Sequence, residues 1–272
     1  VIKRIDRGRS HWYVDEETGQ RVPGVTSITE AGVPKPALIN WAGSSTAEYA
    51  IDHWDELAEL EPTVRLKTLE RARYLAVDKA KNKGTLVHKI AERLVHGDRV
   101  AIPEGLEGHV ESYVRFLDEY DVQPILVERT VHSAQYGYCG TLDLIADLTD
   151  PDDPEPDLEK RQRWPWLIDI KTGRSGIFGD VALQLAAYRY ADVWIDPDEP
   201  AEHEMPAVEY CGGLHIRADG YDLIPVEAGE LQHRQFLYVW QVGQFMDTSR
   251  ELIGAAMEPP HTSTYRLVRE DT

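Results

Sequence analysis

The sequence predicts an α/β fold, a central mixed β-sheet flanked by helices, with a helical N-terminal extension. Three observations predict it. Before Pro124 most segments have helical composition, with apolar positions at helical spacing; from Pro124 they give way to short runs rich in β-branched and aromatic residues. Two further helical patterns stand among and after those runs, the arrangement of a sheet covered by helices. The 272 residues, 42% hydrophobic and 28% charged, are ample for a large core. The chain reads as one integrated domain in three stretches: 1–123 with N-terminal strands and helices, 124–250 as the sheet-bearing core, and 251–272 as a tail.

The first stretch opens with the strand-like pieces HWYVD and RVPGVTSIT around the turn ETGQ. A long, interrupted helix is expected from Pro36 to near Leu60, then one from Pro62, a residue suited to a first helical turn, to Lys81. Gly84 to His96 is expected as a separate short helix ending at Gly97, with Leu86, Ile90 and Leu94 as its buried face. Leu106 to Tyr120 makes another helix. In the core, PILVERTVH, YGYCGTLDLIADL and WPWLIDIKT read as strands, followed by a helix from Gly179 to Ala191. EYCGGLHI and YDLIPV, joined by RADG, are two more strands, and Glu230 to Met246 is a closing amphipathic helix. Two acidic, proline-bearing stretches, Asp147 to Glu159 and Asp196 to Glu209, are expected as solvated connections without regular structure.

Composition sets further bounds. No apolar run reaches the roughly 18–20 residues of a membrane helix and no signal peptide opens the chain, so a cytoplasmic protein with no membrane partner is expected. The two cysteines, Cys139 and Cys211, exclude a disulfide scaffold and are too few for a four-thiolate site. A net charge of −19, from 29 Lys and Arg against 48 Asp and Glu, argues at first against a nucleic-acid partner. The charge is uneven, however. Arg65 to Lys83 holds seven basic and two acidic residues, a net +5 that leaves −24 for the remainder.

The residues that carry chemistry lie in the core strands. Asp169 and Lys171 in LIDIKTG are two apart, so both project from one side of an otherwise apolar strand. A carboxylate and an ammonium there are costly unless paired or bound to something. Asp143 likewise stands between Leu142 and Leu144, after Gly140, which is expected to open a turn. If the two strands are neighbours, two carboxylates and an ammonium converge. Oxygen ligands of that kind suit Mg²⁺ or Mn²⁺. His88 and Glu92 share a helix face, and the His nitrogen is a further candidate ligand. Gln184 and Tyr188, also four apart, sit on the helix after the DIKTG strand, where Gln184 could orient water or Lys171 and Tyr188 could hydrogen-bond or stack on a nucleic-acid strand. Taken singly, each of these pairs is more often an ordinary packing or surface feature.

Taken in order, GTLVHKIAERL, GTLDLIADL, WLIDIKTG and LQLAAY resemble the RecB-like branch of the PD-(D/E)XK nuclease superfamily, and VPGVTSIT with ALINWAG is similar to the lead-in of its phage-type and recombination exonucleases. The resemblance spans Val22 to Tyr188 and implies a restriction-endonuclease-like core in a prokaryotic or phage-infected cell. It implies that His88, Asp143, Asp169 and the Ile170 carbonyl bind metal. It further implies that Lys171 is the catalytic lysine and that Gln184 and Tyr188 form the last motif. Glu128 and Glu92 are weaker matches. The implied activity is a Mg²⁺- or Mn²⁺-dependent deoxyribonuclease leaving 5′-phosphate products, an exonuclease in preference to an endonuclease. A separate annealing protein, recombinase or helicase chain is a possible partner, and an oligomer is possible. Relatives with an iron–sulfur cluster use four cysteines, so no cluster is expected here.

For DNA contacts, Arg174 and Phe178 of the loop TGRSGIFG and the basic Lys79, Lys81 and Lys83 are the candidates, with Trp164 and Trp166 as further aromatics. The rival readings are a non-catalytic DNA-binding or assembly module of the same fold, and a different two-carboxylate hydrolase. The basic stretch runs into the His88 helix, so the expected DNA affinity is weak, salt-sensitive and dependent on metal.

Overall fold

A computed structural model describes residues 1–7, 10–173, 175–197 and 201–260, with the side chains of residues 10, 37 and 76–82 outside the description. Among the described residues a seven-stranded mixed sheet organises the molecule. Its strands are β4 (Gln123–Ser133), β5 (Tyr138–Thr149), β6 (Arg163–Lys171), β7 (Val193–Ile195), β8 (Glu202–Glu204), β9 (Tyr210–Arg217) and β10 (Gly220–Pro225), in the order β10-β9-β6-β5-β4-β7-β8. β6 and β9 are parallel. The helix α6 (Asp180–Arg189) lies in the crossover between them, as a parallel pair requires. The remaining neighbours are antiparallel. A small antiparallel sheet, β1 (Ile2–Arg7), β2 (Ser10–Asp15) and β3 (Arg21–Val22), precedes it. This smaller sheet is joined to β5 where Cys139 N–H donates to the Pro23 carbonyl at 3.0 Å.

Helices cover both faces. On one face, α1 (Val25–Gly32), α6 and α7 (Glu230–Thr248) pack Val25, Ile28, Leu185 and Phe236 against Leu142, Ile145 and Leu167. On the other, α4 (Pro62–Val95) and α5 (Glu107–Glu119) bring Val87, Ile90, Val110 and Phe116 onto Leu144, Ala146, Ile168 and Ile170. The split follows from the two-residue period of a strand: Leu167 faces one layer, Ile168 and Ile170 the other. Phe116 and Phe236 are fully buried on opposite faces, and each burial stabilises by about 2–3 kcal/mol. The interrupted N-terminal helix is α2 (Pro36–Asp52) and α3 (Trp54–Ala58), broken at His53. No helix among the described residues is long and apolar enough to cross a membrane.

Four local expectations differ from the structure. VTSIT is the helix α1 and not a strand, because Val25, Ile28 and Thr29 fall at helical spacing against the core and tertiary burial overrides β-branched propensity. The helices expected from Pro62 and from Gly84 are one continuous 34-residue helix. The cost of a mid-helix glycine, about 1 kcal/mol, does not stop it. α4 passes the end of β6 at that glycine, where an added Cβ would make ordinary contact with Thr172 Oγ1 at 3.4 Å. The buried face of that segment is Val87, Ile90 and Ala91, while Leu86 is exposed. The acidic stretches also carry regular structure. Glu202–Glu204 forms the edge strand β8, and Asp150 and Asp153 turn their carboxylates onto backbone N–H groups of Asp152, Glu155 and Gln162. β1, β7 and β8 are too short or too polar to have been read from their sequence.

Candidate active site

The β5–β6 pairing ends at Leu144 and Ile168, and Asp143 and Asp169 stand next to that pair on the two strands. Asp143 is tied to β6 by the Ile170 N–H, which donates to its Oδ2 at 2.6 Å. Asp169 is 2% exposed. Its Oδ1 accepts from Gln184 Nε2 at 2.7 Å, and its Oδ2 is ion-paired with Lys171 Nζ at 2.5 Å.

A third carboxylate comes from β4. Glu128 has φ 49°, a left-handed backbone inside a strand that costs a non-glycine residue about 1–2 kcal/mol. The position explains the conformation. Leu126 and Val131 face the same core layer although five residues apart, and so do Leu142 and Ile145 although three apart. Strict alternation puts only even separations on one face. Each strand therefore skips a step, in spans that contain Glu128 and Asp143. Both side chains turn towards His88 of α4, whose Nδ1 stands 3.5 Å from Glu128 Oε1 and 3.5 Å from Asp143 Oδ1. His88 Nε2 donates to the Ile170 carbonyl at 3.0 Å, which fixes the ring.

These groups govern one another's protonation. Burial lowers the affinity of His88 for its proton, but Asp143 and Glu128 outweigh it and raise His88 well above the ordinary range. Burial also pushes Asp143 up, yet His88 and Lys171 hold it below its usual value. Asp169 is raised to about 6, chiefly by burial and then by Asp143, against the pull of Lys171. Burial raises Glu128 as well. Desolvation opposes the charge on Lys171, but the two aspartates raise it, so the ammonium persists.

The residues fit a divalent cation. His88, Glu128 and Asp143 each offer a ligand atom within 4.8 Å of the others, the oxygen-rich set with one imidazole that suits Mg²⁺ or Mn²⁺. Asp169 adds a buried carboxylate beside them, its Oδ2 held by Lys171. Asp169, expected as a metal ligand, stands outside the triad in this arrangement, turned to Lys171 and Gln184, and Glu128, expected as a weaker match, is a member of it.

All of these groups except Ile170 line one cleft of about 210 Å³ together with Gln184 and Tyr188. Gln184 bridges Asp169 to the Tyr188 hydroxyl, donating to the latter at 3.3 Å. Tyr188 is 2% exposed, so its face is not available for stacking on nucleic acid. Its ring lies instead against Gly140, where an added Cβ would come within 2.3 Å of Cε1. Gly140 opens no turn; it lies inside β5, and its missing side chain makes room for the tyrosine. The glycine before the aspartate and the tyrosine after the glutamine are thus two halves of one contact.

Other expected residues lie apart. Glu92 is half-buried one turn beyond His88, and its charge raises Glu128, but it does not line the cleft. Lys83 and Phe178 are exposed. Arg174 and the side chains of Lys79 and Lys81 lie outside the described residues. Trp164 and Trp166 stand at the far end of β6 against Tyr210 and do not line the cleft. Cys139 and Cys211 are buried free thiols in separate apolar clusters.

Five cleft residues had no counterpart in the sequence reading: Arg4, His11, Tyr13, Thr26 and Thr141. Arg4 Nη1 donates to Thr141 Oγ1 at 3.1 Å, and the Tyr13 and Thr141 hydroxyls are 2.8 Å apart. Burial and the Arg4 cation hold His11 below its ordinary range. No protein-family model matches the chain, and no curated protein matches it.

Proposed function

We propose that the protein is a metal-dependent DNA nuclease that hydrolyses phosphodiester bonds, an exonuclease of the RecB-like PD-(D/E)XK type. One observation carries the reading. Asp143, Asp169, Lys171, His88, Gln184 and Tyr188 come from four separate segments of pattern, and the fold gathers them into a single cleft. A structural ion-pair network would explain Lys171 with Asp169; it would not require a histidine, a second and a third carboxylate around the same point.

The chemistry a bound Mg²⁺ or Mn²⁺ supplies in such a carboxylate site is activation of water and stabilisation of charge on phosphoryl oxygen. His88, Glu128 and Asp143 would hold the cation, with Asp169 at their side. Lys171 is the group placed to meet the substrate. Its ammonium is 2.5 Å from Asp169 Oδ2, which restricts a flexible four-carbon stem to one direction, and the side chain is still 34% exposed toward the cleft. From there it can donate to a phosphate oxygen or to the attacking water. Gln184 is a positioning residue: by donating to Asp169 Oδ1 it leaves Oδ2 for Lys171. Tyr188 supports Gln184 in turn. The metal requirement also reconciles the acidic chain with a polyanionic substrate, since the carboxylates nearest the reacting phosphate are neutralised when a cation is bound.

The test is incubation of the purified protein with linear and circular DNA in Mn²⁺, Mg²⁺ or EDTA. Degradation of linear DNA with either metal and none in EDTA is expected. Asp169→Asn and Lys171→Ala should each lose at least about 100-fold in rate while keeping the wild-type circular dichroism spectrum. Undiminished cleavage by either variant, or metal-independent cleavage by the wild type, would overturn the reading. Cutting of circular DNA would identify an endonuclease instead, and metal-dependent DNA binding without cleavage a non-catalytic module.

A further inference from the structure

The small N-terminal sheet does more than cover an edge. Arg4 and Tyr13 are cross-strand partners in the β1–β2 register, so both project from the same face, and both converge on Thr141. Thr141 is two residues before Asp143 in β5, about 6–7 Å along the strand on the cleft side. That separation is comparable to the distance between successive phosphates on one nucleic-acid strand.

The cluster has more donors than acceptors. Of the five guanidinium N–H groups of Arg4, Nε and one on Nη2 face Asp6 Oδ1, at 3.2 and 3.1 Å, and one on Nη1 goes to Thr141. The Tyr13 and Thr141 hydroxyls share a single hydrogen bond, so whichever donates, the other keeps its own proton. Tyr13 is 3% exposed. One hydroxyl proton and the remaining guanidinium N–H groups therefore have no protein acceptor among the described residues. Donors on a cation, spread over a few ångströms, match the several oxygens of a phosphate.

We propose that Arg4, Tyr13 and Thr141 form a second phosphate-binding point of the cleft, taking the backbone phosphate next to the one that reacts. The proposal rests on the nuclease reading. It makes the N-terminal hairpin part of the substrate-binding machinery and gives the acidic cleft a cation, beyond Lys171, for the adjoining negative charge. The exposed Asp6 holds the guanidinium by Nε and Nη2, which leaves Nη1 on the side of Thr141. Arg4 is a positioning residue for the substrate strand and takes no part in the bond that breaks.

The test compares Arg4→Gln, Arg4→Lys and, as a control, Lys3→Gln. Lys3 belongs to the same strand but faces away and pairs with Glu16 at 3.1 Å. Binding of a fluorescent single-stranded 20-mer is measured by anisotropy across a salt series in a Lys171→Ala background, which stops turnover. Arg4→Gln should weaken binding about fivefold to tenfold and reduce the magnitude of the log affinity against log salt slope by about 1, whereas Lys3→Gln should leave both unchanged. Arg4→Lys should retain the slope. In the otherwise wild-type protein, Arg4→Gln should raise KM by a similar factor and leave kcat within about twofold.

A purely structural role would instead lower the melting temperature of Arg4→Gln and leave the salt slope unchanged in the folded fraction. That result, or wild-type affinity and KM in Arg4→Gln, would overturn the proposal while leaving the nuclease reading intact. If the wild type fails to cleave DNA yet binds it in an Arg4-dependent way, the nuclease reading fails and the phosphate site stands. If the wild type neither binds nor cleaves, both fail.

Discussion

Replacing Gly140 by alanine places a methyl group 2.3 Å from Tyr188 Cε1, 3.1 Å from Cδ1 and 3.2 Å from Val25 Cγ2. Neither neighbour has room to give way. Val25 is fully buried, and Tyr188, 2% exposed, is held at its hydroxyl by Gln184. Overpacking a well-filled site typically costs about 1–3 kcal/mol. With a main clash well inside van der Waals contact and against ring atoms, the upper part of that range applies. About 2–3 kcal/mol corresponds to a melting-temperature loss of roughly 5–10 °C for a chain of this size. The assay is a double-mutant cycle by thermal or urea unfolding with Gly140→Ala, Tyr188→Ala and the pair. Truncating the ring removes the closest clash, so Gly140→Ala should cost at least about 1 kcal/mol less in the Tyr188→Ala background, a coupling expected for residues in direct contact. Equal costs in the two backgrounds would refute the steric account of this glycine.

Three further outcomes follow from the same geometry. Glu128→Gly and Glu128→Ala both delete the carboxylate, but only alanine keeps the left-handed penalty at φ 49°, so the glycine variant should be the more stable by about 1 kcal/mol in urea unfolding; a more stable alanine variant would contradict the strained backbone. Added Mn²⁺ at about 100 times its Kd should stabilise the wild type by about 2.7 kcal/mol, read as a thermal shift that Asp143→Asn abolishes, and an undiminished shift would place the cation elsewhere. Burial raises Tyr13 to about 12 from an ordinary 10.0, so its contribution is fully present below pH 10 and is lost as pH rises towards 12. Over that window Tyr13→Phe should lose about 2–3 kcal/mol less stability than the wild type, and parallel profiles would refute the shift.

What the sequence made legible, and what it hid, divides by the range of the interaction. Asp169 and Lys171 could be paired by eye because a strand's two-residue period is local. Asp143 and Asp169 could be brought together once their strands were taken as neighbours. The helix histidine required only that one segment be helical, and that expectation survived the merging of two expected helices into one. The roles of Gly140 and Glu128 were harder. Each depends on a partner with no fixed offset: Gly140 on a ring 48 positions later, and Glu128 on a skipped step in two adjacent strands. The glycine was visible as a letter, but a turn was its ordinary explanation, and only the position of Tyr188 shows that space is what it provides.

Arg4 marks the far limit of such reading. It is separated by 137 residues from Thr141, and its charge alternates with others in IKRIDR as on any exposed strand. Nothing local distinguishes it from Lys3, its neighbour with the same charge. The difference is made by strand parity: the pleat sends Lys3 outward to Glu16 and Arg4 inward to Thr141. Which parity faces the cleft is decided by the attachment of the small sheet at Pro23 and Cys139 and by the burial of Ile2 and Tyr13 beneath it. A one-residue slip of β1 against β2 would exchange the two cations and leave the overall composition of the surface untouched. The strongly acidic total is therefore a poor guide to where a polyanion can bind, because a single register, set by a few buried apolar residues, determines which positive charge reaches the carboxylate cleft.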